Sequence, residues 1–163
     1  MKAKKNQTEK ILKAQNHLLN YKILEMQMIN SSLLDVLGGD SRYVAGKNLE
    51  LPDDNSEVTV SIYFGGENQF GSARLKVLRT NKPSIYIETS EDDIVIGTCK
   101  ELIGNAFVIG AEITDSNRDP ENNNTILKIK IKQNNKIIYQ DSHTIDVGNE
   151  GATATFTYNI TFY

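Results

Sequence analysis

The pattern of apolar positions changes character once along the chain. Up to Leu37 apolar residues recur at helical spacing, and beyond Glu57 they alternate with polar ones. The last stretch shows the alternation most clearly. Ala152, Ala154, Phe156, Tyr158, Ile160 and Phe162 fall on one side of an extended chain, and Thr153, Thr155, Thr157, Asn159 and Thr161 on the other. Strict period-two alternation, rich in aromatic and β-branched residues, predicts a long antiparallel strand with one buried face.

The same period recurs upstream. Val58, Val60, Ile62 and Phe64 alternate with Thr59, Ser61 and Tyr63 ahead of a Gly65-Gly66 turn. Ala73, Leu75 and Val77 form a second set, Ile85 and Ile87 follow Pro83, and Ile94 to Ile96 is a short run. Phe107, Ile109, Ala111 and Ile113 make another face, and Leu127, Ile129 and Ile131 alternate with Lys128, Lys130 and Lys132. Asn134-Asn135 tolerates the positive φ of a tight hairpin turn, after which Ile137 and Tyr139, then Ile145 and Val147, resume. Eight or nine short strands with no helix between them predict an antiparallel β-sandwich, jelly-roll or immunoglobulin-like, over residues 57–163.

The N-terminal pattern reads differently. Asn6 followed by Glu9 resembles a capping box, and Gly38-Gly39 is a stop signal, which predicts one long α-helix over residues 1–37. Leu12, Leu19, Met26 and Leu33 recur every seventh residue; taken as d positions, they place Glu9, Asn16, Ile23, Asn30 and Leu37 at a. Asn at a fixes register and strand number in coiled coils, so this seam is the expected oligomerisation surface. Ile11, Leu18, Leu24, Met28, Ile29, Leu34 and Val36 lie off it, which makes packing against the chain's own β domain the alternative. A membrane-surface helix is a third reading, because Lys2, Lys4 and Lys5 precede it. Residues 38–56 read as a linker in which Leu49 and Leu51 could form a short strand. The expected class is therefore α+β, a long N-terminal helix followed by an all-β sandwich.

Composition narrows the function. A length of 163 residues has room for one domain and an appendage, and 39% apolar with 24% charged residues is a globular balance. The net charge of −3, split as +3 over residues 1–37 and −6 beyond, argues against a general nucleic-acid binder. One cysteine excludes an intrachain disulfide. No apolar run reaches the ~20 residues of a spanning helix. The charged N-terminus leads into no apolar segment, so cytoplasmic synthesis without a signal peptide is expected.

Candidate chemistry is sparse. In TDSNRDPENNNT, Asp115, Asn117 and Asp119 match the opening of a calcium loop, but Pro120 and Ile126 stand where its Gly and Glu belong. Outside helical loops, β-sandwiches bind calcium with looser patterns, so these three are weak metal candidates and no cofactor is expected. Lys128, Lys130 and Lys132 form a stripe that suits an anion or, more simply, a solvated face. Glu91–Asp93 and Asp53–Asp54 read as solvated turns. His17 and His143 have no partners at metal-ligand spacing, and Cys99 reads as a buried small hydrophobe. No catalytic motif is present, so the chain is not expected to be an enzyme. No family signature is recognised. The expected role is structural: a helix-mediated homo-oligomer or docking subunit that binds other protein subunits, as in a phage virion or an injection or secretion apparatus. The alternative is a β-sandwich module for calcium or carbohydrate, although the absence of Trp and the scarcity of loop aromatics weigh against sugar.

Overall fold

The computed structural model describes residues 41–66, 69–116 and 123–163. All of them belong to the unit Gly39–Tyr163. Nine strands and one short helix follow in order: β1 (Arg42–Leu49), β2 (Glu57–Gly65), β3 (Gln69–Val77), β4 (Ile85–Ile87), β5 (Glu91–Thr98), α1 (Cys99–Leu102), β6 (Ala106–Asp115), β7 (Asn124–Gln133), β8 (Lys136–Asp146) and β9 (Thr153–Phe162). They form a five-stranded sheet in the order β1-β9-β6-β3-β4 and a four-stranded sheet in the order β5-β2-β7-β8.

The α+β class is corrected here. The described residues are 68% strand, and no helix among them reaches seven residues. That class rested on residues 1–37 alone, whereas strands build almost all of this core, with Cys99 and Leu102 of α1 added. The helix expected over residues 1–37, with its seam of Leu12, Asn16, Leu19, Ile23, Met26, Asn30 and Leu33, lies outside the described residues. No described helix is long and apolar enough to cross a membrane.

Alternation supplies the core. Val58, Val60 and Ile62 of β2 and Leu127, Ile129 and Ile131 of β7 point inward from one sheet. They meet Leu75 of β3, Phe107, Ile109 and Ile113 of β6 and the inner face of β9 in a single cluster. Fully burying such side chains stabilises by ~1.5–3 kcal/mol each. The Asn134-Asn135 turn has positive φ at both residues (47° and 61°), as the β7–β8 hairpin requires.

Three features depart from the pattern. β1 lies inside the stretch read as a linker. Its inward Tyr43, Ala45 and Leu49 are diluted by an inward but exposed Lys47, so its alternation is faint. It pairs with β9 in parallel, from Arg42↔Thr155 to Leu49↔Phe162, so the five-stranded sheet is mixed and not wholly antiparallel. A chain starting near Glu50 would lose β1 and uncover an edge of β9. Second, β8 is one strand where two were expected, because Asp141 and His143 occupy inward positions between Tyr139 and Ile145. Third, β9 is covered on both faces near its end: the outward Asn159 and Thr161 are only 6% and 9% exposed. A solvated outer face holds only for Thr153, Thr155 and Thr157.

Phe156 is 1% exposed, so Phe156→Ala is expected to cost ~3–5 kcal/mol in transfer and cavity terms. Thr155→Ala, on the half-exposed outer face, is expected to cost far less. Urea unfolding of both variants checks this; equal losses would mean that the outer face is buried along the whole strand.

Candidate functional site

The outward face of the four-stranded sheet carries a groove of about 690 Å³ lined by Ser61, Tyr63, Asp92, Lys128, Lys130, Gln140 and Ser142, among others. Strand register builds it. Tyr63, Lys128 and Ser142 form one cross-strand row, and Ser61, Lys130 and Gln140 the next. All are outward because their neighbours Ile62, Leu127, Ile129 and Ile131 are committed to the core. Tyr63 is 52% exposed, and the Lys128 ammonium sits 5.3 Å from its ring centroid, within cation–π range. Gly65 makes space for that ring: a Cβ there would lie 2.9 Å from Tyr63 Cε1.

One rim of the groove is set by an irregularity in β5. Its register against β2 shifts between Val60 and Ile62, and Asp93 takes a positive φ of 54°. The bulge turns the Asp93 carboxylate back over the sheet. There it accepts from Lys132 Nζ at 2.7 Å and from the hydroxyls of Thr59 and Ser61, both at 3.4 Å, while its own N–H donates to Ser61 Oγ at 3.1 Å. The Lys132 hydrogen bond holds the Asp93 carboxyl below the usual carboxylate range. Of the lysine stripe, Lys132 is thus neutralised. Lys128 and Lys130 have no carboxylate within ion-pair distance among the described residues.

A second polar cluster lies on the inward side of β8, where β1 comes against it. Asp141 Oδ2 accepts from Tyr158 Oη at 3.0 Å and from Tyr43 Oη at 3.3 Å, and Oδ1 accepts from the Ser142 N–H at 2.9 Å. The His143 ring stacks on Tyr43, with centroids 3.6 Å apart and planes 15° apart. Burial, then the Asp141 carboxylate, pushes the phenols of Tyr43, Tyr139 and Tyr158 upward, that of Tyr139 to about 12.

The weak calcium candidates are not assembled by the described residues. Asp115 is fully buried at the end of β6 and accepts from Gln69 Nε2 at 2.8 Å, while Asn117 and Asp119 lie outside the described residues. No group of three His, Cys, Asp or Glu among the described residues could hold a metal. Cys99 is buried in α1, and burial pushes its thiol up, away from the range of a nucleophile. The sequence pointed to the lysine stripe but not to the tyrosine–carboxylate cluster. The one signal for the latter was the pair of polar residues at inward positions of β8.

Comparison with protein-family models, with curated proteins and with solved structures gives no match.

The raised phenols give a pH prediction. A group whose folded pKa is raised contributes stability that is fully present below its unfolded value, ~10 for tyrosine, and is lost as pH rises through the folded value. Urea midpoints are therefore expected to fall steeply above pH ~10. Tyr158→Phe should lower stability at neutral pH and flatten that alkaline decline; an unchanged alkaline slope would contradict the coupling.

Proposed function

We propose that the domain is a non-catalytic docking module that binds a hydroxyl-rich polymer, a carbohydrate with acidic groups, in the groove of its four-stranded sheet. The observation that carries this reading is the two-row array of Tyr63, Lys128 and Ser142 beside Ser61, Lys130 and Gln140. An exposed ring offers an apolar face for a sugar. The Ser142 hydroxyl and the Gln140 amide offer donors and acceptors, and the Lys128 and Lys130 ammonium groups, unneutralised among the described residues, suit carboxylate or sulfate substituents. The aromatic that loops failed to supply stands on a strand. Lys132, clamped by Asp93, bounds the array on one side. Asp92 adds an acceptor at the rim. A docking role in a larger assembly fits a module that holds an extended ligand and performs no chemistry on it.

The test is calorimetric titration of the full chain with oligogalacturonate as the acidic probe and dextran as the neutral one. Binding of the acidic probe, weakened by salt, is expected. Lys130→Ala is expected to lose about tenfold or more in affinity, the ~1.5–3 kcal/mol of a hydrogen bond to a charged group. Gly65→Ala should weaken binding by displacing the Tyr63 ring. Failure of the native chain to bind either probe would overturn the reading.

A further inference from the structure

We propose that the cluster where β1 meets β8 is a binding site for a hard trivalent metal ion, represented by Fe(III). Two phenol oxygens converge on one carboxylate oxygen: Tyr158 Oη and Tyr43 Oη lie 3.0 Å and 3.3 Å from Asp141 Oδ2. The Tyr43 and Tyr158 rings meet edge to face, with centroids 5.5 Å apart, so both phenols approach that one oxygen from the same side of β8. Neighbouring oxygens around a six-coordinate ion with ~2.0 Å bonds lie ~2.8 Å apart. The two phenol–carboxylate separations need to contract by only a few tenths of an ångström to match that spacing.

The donor chemistry selects the ion. With both phenols ionised, the three oxygens carry three negative charges and match a 3+ ion. No thiolate or thioether is among them, and soft ions prefer those ligands. The ligands come from β1 and β9, paired in one sheet, and from β8 of the other, so strands and not loops carry them. Tyr158 is buried while Tyr43 and Asp141 are only half-buried, which gives the cluster a buried floor and an open side for water or a small anion. The stacked His143 ring fixes the plane of Tyr43, in the manner of an outer-shell partner. Tyr139 is the next inward residue before Asp141 on β8.

Binding breaks two phenol O–H bonds and forms two metal–phenolate bonds and one metal–carboxylate bond. The two protons pass to solvent, and no electron moves. Affinity therefore falls as pH falls, because protons compete for the phenolates. Of the three ligands only Asp141 also lines the groove, and the ferric proposal does not rest on the carbohydrate reading.

The test is titration of the full chain with ferric nitrilotriacetate at neutral pH, read as the visible phenolate-to-iron charge-transfer band. A band that saturates at a single equivalent and is largely lost in Tyr43→Phe and in Tyr158→Phe is expected, whereas Tyr86→Phe, at an exposed tyrosine of β4, should retain it. Circular dichroism checks that each variant is folded. The native titration decides even where a variant fails: no band from the native chain overturns the proposal, as does a band undiminished in both folded variants.

Discussion

The double pairing of β9 is the constraint on which the rest of the domain depends. Its inner face, from Ala154 to Phe162, is buried, so its backbone groups must be satisfied by neighbouring strands on both edges. β6 serves one edge in antiparallel register and β1 the other in parallel register. Parallel pairing between the first and last described strands cannot be made by a hairpin; the chain between them has to build both sheets first. Once β1 is in place it lies at the edge of its sheet, against β8 of the other. The aromatic stack and the shared carboxylate at that seam follow from this closure.

The strand β8 divides its residues between two chemistries. Gln140 and Ser142 face outward into the groove, while Tyr139, Asp141 and His143 face inward toward β1 and β9. A period of two makes this possible without any loop or insertion. The cost is a carboxylate inside the wall of a sandwich, which would destabilise the fold if left unpaired. Two phenols and a backbone N–H satisfy it. The sandwich edge at that point is thereby held by directional bonds as well as by apolar contact.

Among the described residues nothing packs on the outer face of the four-stranded sheet, and the sheet edges are blunted in different ways. β5 is interrupted by register shifts and carries Glu91, Asp92 and Asp93, while β4 in the other sheet is only three residues long. The bulge that blunts β5 also aims Asp93 at Lys132, so edge protection and the local charge pattern arise from one irregularity.

Period-two patterning made most of the sandwich legible: β2, β4, β6, β7 and β9 fall where their apolar positions alternate, and the Asn134-Asn135 turn where positive φ is tolerated. The lysines of the groove were equally visible, as outward residues of β7. β1 was not, because Lys47 occupies an inward position and Gly46 offers no side chain. The α+β class came from residues 1–37, outside those described. By itself the sequence determined the inward face of β2, β6, β7 and β9, since side-chain direction is a local property of an extended chain. Only the tertiary structure decided which strands are neighbours, and so brought Tyr43 to Asp141 across 98 positions, because that pairing depends on the closure of two sheets and on no nearby residue.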